Sequence, residues 1–432
     1  MSLSDSPAAP VRVAVTGAGI VSAVGHGVAS FTAALREGRS GARPIGGEGR
    51  LAKVPAAMLA DFDLDVVLAS YSDLPRILVQ RARRAARRAP LPVQAAVAAA
   101  TEAWHGAGLD RGGVSRERAC LVIAGQNLNQ RYDFEVREKF AERPESLSPA
   151  YAAHFLDTDH VGTLSEVFEL RGEGFTVGGA SASGNVALLH GYRLVRSGDA
   201  SACIVIGAMM QLSPVELAAF ESIGALSPGD AEADAARACR PFDQARSGFL
   251  YGQASACVIL EPWSAARARG APLLGELCAG SLVLDGNRGT DPSVDGEARA
   301  MSLALERAGV PPERIDYVNA HGSASRRGDE VELQALARVF GASPPGPWVN
   351  STKPITGHTL SAAGVVEAIA TLIQMNEGFL HPNPNLDEPM RCGARLVGRT
   401  CEAVRAELAL SNSFGFGGIN TSIVLARSNE GP

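Results

Sequence analysis

Long apolar runs are missing from this 432-residue chain. No segment holds about 18 uninterrupted apolar residues, which argues against a transmembrane helix. The N-terminal stretch MSLSDSPAAPVRVAV has no charged start followed by an apolar run, so no secretory signal is expected. Positive charge is not in excess. The 40 Lys and Arg against 46 Asp and Glu leave a net charge of −6, so nothing draws the whole chain to nucleic acid or to an anionic membrane. Paired cysteines are missing too. Cys120, Cys203, Cys239, Cys257, Cys278, Cys392 and Cys401 are odd in number, scattered and without a CxxC. That argues against disulfide and zinc frameworks and for a reducing cytoplasm. Most lie in apolar runs such as SACIVIGA and SACVILE and read as small buried hydrophobes.

What is present is alternation. Short β-branched runs (VRVAVTG, ACLVIAG, SACIVIGAMM, SACVILE, SLVLDG, IDYVNAHG, TSIVLAR) are separated by alanine-rich segments of helical period such as LPVQAAVAAATEAWHGAG. This predicts α/β layers with buried sheets. The chain also repeats once. PVQAAVAAATEAWHGAGLDRGGVSRERACLVIAG reads as helix, stop, loop and strand, and GEARAMSLALERAGVPPERIDYVNAHG has the same grammar. ASGNVALLHGYRLVRSGDASACIVIGA is echoed more weakly by HTLSAAGVVEAIATLIQMNEGFLHPN. One long repeat implies two similar halves in a single unit, residues 1–262 and 263–432. TGAGIV after the first strand lacks the third glycine and the later acidic residue of a dinucleotide site, and reads as a tight turn after the strand.

Four segments carry more polar chemistry than packing needs. GGASASGNVA (178–187) puts Ser181 and Ser183 at a turn before a helix, the usual seat of a nucleophile. VNAHGSAS places His321 just after a strand, NSTKPITGH holds Lys353 and His358, and NSFGFGGIN is a glycine-rich turn. The last three resemble the active-site signatures of β-ketoacyl synthases. The first strand VRVAVTGAGIVSAVG and the ALSPGDAEADAARACRPFDQARSGFLYGQASACVILE region are similar to that family as well. The resemblance implies a thiolase-like fold: duplicated α/β halves in an α-β-α-β-α layering, the N-terminal half with the nucleophile elbow and the C-terminal half with two catalytic histidines.

One position departs from the pattern. The family's elbow reads like T-A-C-S-S-G, and here Gly179-Ala180-Ser181-Ala182-Ser183-Gly184 puts serine in the cysteine's place. Acyl transfer to the enzyme needs a thiolate, and cysteine titrates near about 8.5, lower at a helix N-terminus. A serine hydroxyl is weak without a base, and a helix dipole of about 1–2 kcal/mol does not close that gap. Loss of CO₂ from a malonyl thioester needs only donors at the thioester oxygen. The resemblance assigns that role to His321 and His358, with Lys353 ordering the network and Glu332 and Glu367 as its acidic partners. It places the backbone N–H groups of Ser181 and Phe416 at the oxyanion and Ser323 and Ser325 along a pantetheine arm. The decarboxylation half is kept and the acylation half impaired. The expected activity is conversion of malonyl-acyl carrier protein to acetyl-acyl carrier protein. FLDTDHVGTLSEVFELRGEGFTVGGASASGN is similar to the serine-bearing decarboxylases of polyketide β-branching, which makes Asp157, Asp159 and His160 candidates for the substrate side or an interface. Those relatives imply HMG-synthase-like and enoyl-CoA-hydratase-like pathway partners.

PRILVQRARRAARRAPLP concentrates Arg76, Arg81, Arg84 and Arg88 in an acidic chain. A basic helix suits an acidic carrier protein, and no aromatics interleave it for nucleic acid. The family implies a homodimer around the strand in ASACIVIGAMM (200–210), no metal, and no cofactor beyond the carrier's phosphopantetheine. Two other readings stay open. An acyltransferase would acylate Ser181 and lose its activity in Ser181→Ala, whereas a decarboxylase would keep much of it. A chain-length-factor-like partner would be inactive, but such subunits lack the histidines kept here.

Overall fold

The computed structural model describes residues 11–46, 50–228, 234–341 and 346–428. Residues 1–10 of the N-terminal stretch and 229–233 of the ALSPGDAEAD segment lie outside the described residues. The first half supplies strands β1 (Val13–Ser22), β2 (Ala119–Ala124), β3 (Gly174–Val177), β4 (Ala202–Gly207) and β5 (Ala254–Pro262). The second supplies β6 (Gly275–Leu284), β7 (Tyr317–Asn319), β8 (Trp348–Asn350), β9 (Arg395–Leu396), β10 (Leu408–Gly415) and β11 (Ile419–Ala426). They form one sheet in the order β9-β8-β7-β10-β11-β6-β1-β5-β4-β2-β3. Read outward from the β1–β6 junction, both halves use one plan: β1, β5, β4, β2, β3 on one side and β6, β11, β10, β7, β8 on the other. The directions match as well. The first two pairings of each series are antiparallel and the next two parallel. The duplication read from the helix–strand grammar is therefore present in the topology.

The helices that matter are α1 (Arg76–Ala86), α2 (Leu91–Gly106), α3 (Gln130–Glu142), α4 (Thr158–Phe168), α5 (Ser183–Ser197), α6 (Val294–Ala308), α7 (Arg326–Phe340) and α8 (Ala363–Glu377). Alternation along the strands distributes them. Cys203 and Val205 of β4 pack with Leu188 of α5 and Val365 and Ile369 of α8. Ile204 and Ile206 point the other way, to Trp104 of α2 and Phe168 of α4. In the second half Ile423 and Leu425 join the central cluster, and Val424 turns outward to Leu305 of α6 and Leu336 of α7. A strand buried on both faces needs an unbroken apolar run, which is why these strands do not alternate in polarity. The result is the layering α-β-α-β-α, with α5 and α8 between the two sheet halves.

Two pairs of glycines set close approaches. Gly17 and Gly19 lie inside β1, not in a turn beyond it as TGAGIV suggested. A Cβ at Gly17 would sit 2.3 Å from the Ala103 carbonyl, and one at Gly19 2.0 Å from that of Ala99. The motif lets the alanine face of α2 lie on the strand. At the centre, a Cβ at Gly184 would be 2.6 Å from the Gly364 nitrogen, so α5 and α8 cross backbone to backbone at their N-terminal ends.

The strand expected to carry a dimer is interior. β4 is hydrogen-bonded to β2 on one side and β5 on the other, and every residue in it is buried. It has no edge to offer; on this side of the sheet the edge belongs to β3. Four cysteines are buried as expected, but Cys392 and Cys401 are exposed. Among the described residues no helix is long and apolar enough to cross a membrane.

Candidate active site

The serine seat is a short 3-10 turn, Ala180–Ala182, running into α5. Ala180 has φ 49°, a left-handed conformation that a non-glycine residue adopts only when its surroundings enforce it. Ser183 supplies part of that enforcement. Its Oγ accepts the Gly179 N–H (2.9 Å) and donates to the Ala180 carbonyl (2.7 Å), lacing the turn. The second half repeats the device. Leu360, φ 51°, opens the 3-10 turn Leu360–Ala362 before α8. The repeat places Ser361 where the first elbow has Ser181, and His358 stands two residues before the second turn.

His358 Nε2 lies 2.9 Å from Ser181 Oγ. Its Nδ1 accepts the Leu360 N–H at 3.3 Å. Its backbone is tied to the neighbouring segment, His358 N–H to the Leu250 carbonyl at 2.6 Å and Gly252 N–H to the His358 carbonyl at 3.0 Å. His321 stands across from it, ring centroids 5.3 Å apart and planes at 80°. Its peptide is clamped from both sides. Glu332 accepts the N–H groups of His321 (2.8 Å) and Gly322 (2.7 Å), and Lys353 Nζ donates to the His321 carbonyl. Lys353 also meets Glu367 at 2.5 Å, both groups almost fully buried. The carboxyl of Glu367 is completed by the Ser413 hydroxyl at 3.4 Å.

Burial sets the charge states. It pushes both histidines well below the ordinary imidazole range, with the Lys353 ammonium adding to the effect. Both rings are therefore neutral at pH 7, each with one N–H to donate. Burial also pushes Glu367 up to about 7, opposed by Lys353, and raises Glu332.

Ser181, His321, His358, Ser323, Ser325 and Phe416 line one cavity of about 210 Å³. That is below the roughly 300–1,000 Å³ of sites for drug-sized ligands and suits a small acyl group. A groove of about 600 Å³ adjoins it and shares His321, Ser323, Ser325, Phe414 and Phe416 as a common wall. Ser323 donates to Ser325 (3.1 Å), and Ser325 caps α7 by accepting the Gly328 N–H (3.2 Å). Phe416 is 41% exposed and precedes Gly417 and Gly418, whose φ values of 85° and 68° only glycine adopts easily.

Other expected residues stand elsewhere. Asp157, Asp159 and His160 do not line the cavity. Asp157 accepts the N–H groups of Asn127 (2.7 Å) and Leu128 (2.9 Å), Asp159 meets His154 at 2.7 Å, and His160 is fully buried. Asp157 thus acts at one remove, because the loop it holds brings Gln126 and Asn127 to the cavity. The arginine helix α1 spends charge locally. Arg81 pairs with Glu169 (2.6 Å), Arg84 with Glu166 (2.9 Å) and Arg83 with Asp65 (2.7 Å), which weakens the positive patch read from sequence. The sequence reading missed Gln126, Asn127, Phe249 and Leu360, all in the cavity wall. GQN directly follows the strand ACLVIA, and strand ends are where sites gather; that was the available signal.

Comparison with known proteins agrees with this geometry. Residues 11–266 match the family model "Beta-ketoacyl synthase, N-terminal domain" and residues 275–387 "Beta-ketoacyl synthase, C-terminal domain". The chain is 40% identical over 418 residues to "Polyketide biosynthesis malonyl-ACP decarboxylase PksF" of Bacillus subtilis (strain 168), covering 96% of each. It is 31% identical to "3-oxoacyl-[acyl-carrier-protein] synthase 2" of Coxiella burnetii, covering 96% of this chain and 98% of that one. The solved structure "The ishigamide ketosynthase/chain length factor" superposes with TM-score 0.85 at 30% identity, over 98% of this chain and 100% of that one. An elbow serine, two buried histidines and a buried lysine–glutamate pair thus sit on a duplicated five-layer fold that matches over nearly the whole chain, and the chain belongs to the β-ketoacyl synthase family.

Proposed function

We propose that the protein is a decarboxylase that converts malonyl-acyl carrier protein to acetyl-acyl carrier protein in polyketide β-branching. The observation that carries this reading is the union of Ser181 with two neutral histidines in one small cavity. The bond between the malonyl α-carbon and its carboxylate breaks and CO₂ leaves. The electron pair forms an enolate whose charge rests on the thioester oxygen, where N–H donors stabilise it. Protonation of the α-carbon from water gives the acetyl thioester. No step needs a thiolate. The 40% identity to a protein named a malonyl-ACP decarboxylase supports the same reading. Incubation with malonyl-carrier protein, followed by weighing the carrier, tests it: acetyl-carrier supports the proposal and unchanged malonyl-carrier overturns it.

The two halves divide after Pro262. The carrier's phosphopantetheine arm enters by the groove past Ser323 and Ser325, with the backbone N–H groups of Ser181 and Phe416 facing the acyl oxygen. The carrier docks on α1 and the turn that follows it, where Arg76 and Arg88 are exposed. Charge reversal at Arg84 and Arg88 should then weaken turnover of carrier-bound malonyl and spare a small soluble malonyl thioester; equal loss on both would remove α1 from the account. A homodimer would use the edge strand β3, and sedimentation at the mass of one chain would rule it out.

A further inference from the structure

The hydrogen bonds around His358 fix which way its proton points. A backbone N–H can only donate, so the Leu360 N–H makes Nδ1 of His358 an acceptor. A neutral imidazole carries one proton, and this assignment puts it on Nε2. At 2.9 Å from Ser181 Oγ, Nε2–H therefore donates and the serine oxygen accepts. The direction is opposite to that of a serine–histidine pair built for nucleophilic attack, in which the ring must offer a lone pair to the hydroxyl. His358 has no lone pair left on that side. Among the described residues Ser181 Oγ makes no other hydrogen bond, so its own proton is free to turn into the cavity that it lines with His321 and Phe416.

We propose that Ser181 is a catalytic hydrogen-bond donor: His358 Nε2–H holds its oxygen, and its hydroxyl proton is presented to the thioester oxygen on which charge develops. This rests on the decarboxylase reading and assigns the serine a role within it. The Ser181 O–H bond stays intact throughout and no acyl-serine forms. The C–C bond to the carboxylate breaks, CO₂ departs, and the enolate oxygen is held by Ser181 and His321. A chain of two donors polarises each link, so the serine extends the histidine's reach rather than competing with it.

The test compares CO₂ release from malonyl-carrier protein by wild type, Ser181→Ala, Ser181→Thr, His358→Ala and the Ser181→Ala/His358→Ala double variant, with intact-protein mass recorded for each. A relay predicts that Ser181→Ala lowers kcat by about 10- to 100-fold with KM little changed. It predicts that Ser181→Thr, which keeps the hydroxyl, retains most of the rate. In the Ser181→Ala background, loss of His358 should cost little further, because the histidine acts through the serine. Ser181→Ala at the wild-type rate, or additive losses in the double variant, would overturn the relay while leaving the decarboxylase reading in place. A covalent acyl-Ser181 adduct would overturn it in favour of a nucleophile. A wild-type enzyme that releases no CO₂ would defeat the underlying reading instead.

Discussion

Replacing His321 by alanine is expected to lower kcat for CO₂ release by about 10²- to 10³-fold, and replacing His358, which acts through Ser181, by about the 10- to 100-fold of Ser181→Ala, with the smaller part of each effect in KM. Both rings are neutral, line the same cavity and stand with centroids 5.3 Å apart. The same chemistry fixes a pH profile. Burial, reinforced by Lys353, holds both imidazoles below their ordinary range, so kcat should stay flat as the pH falls through about 6.5. Stability should behave differently. A histidine with a depressed folded pKa takes up its proton more readily when unfolded, so the folded state weakens as pH drops below about 6.5. Activity lost with a midpoint near the ordinary histidine value, in protein that is still folded, would contradict the charge states assigned here.

The second large effect is on stability. Lys353→Met removes the cation beside Glu367 in a site where both side chains are almost fully buried. Breaking a buried pair on one side costs about 3–5 kcal/mol, because the other charge is stranded. Protonation of Glu367 would relieve part of this, and the sign of the pH effect follows. Glu367 is already pushed up to about 7 in the folded protein, so it binds its proton more tightly folded than unfolded. Its contribution therefore becomes less favourable as pH rises from the ordinary carboxylate range through about 7, and the deficit of Lys353→Met should be larger at pH 8 than at pH 5.5. Adding Glu367→Gln should restore much of the stability, since the stranded charge is gone. It should not restore the rate, because the His321 carbonyl still lacks the Lys353 donor that fixes the peptide. Denaturant titrations at the two pH values, paired with turnover, separate the two effects. Equal stability of Lys353→Met and wild type at pH 8 would contradict the account.

Much of this was legible beforehand because each clue was local. Continuous β-branched runs announce strands buried on both faces, and the helix–strand grammar around ACLVIAG and IDYVNAHG announced the duplication. His321, His358 and Lys353 stood out as polar residues at strand ends and turns. What was not legible depends on long-range neighbours. TGAGIV looked like a turn because its glycines serve α2, some 80 residues on, through carbonyl contacts that no local pattern shows. The arginines of α1 looked free because their partners Glu166 and Glu169 lie on α4 and just past its end, some 80 residues on. β4 looked available for a dimer because its two flanking strands lie far away in sequence. The sequence offers Ser183 beside Ser181 at the nucleophile seat, yet its hydroxyl laces the elbow that presents Ser181. The direction of the His358–Ser181 hydrogen bond depends on one backbone N–H at Leu360, which no residue type encodes.

The central claim is that this site loses CO₂ from a malonyl thioester without acylating itself. Mass spectrometry of one reaction, with malonyl-carrier protein and enzyme weighed together, tests it most directly. The account predicts a carrier lighter by one CO₂ and an enzyme of unchanged mass. An unchanged carrier, or an enzyme heavier by an acyl group on Ser181, would contradict it.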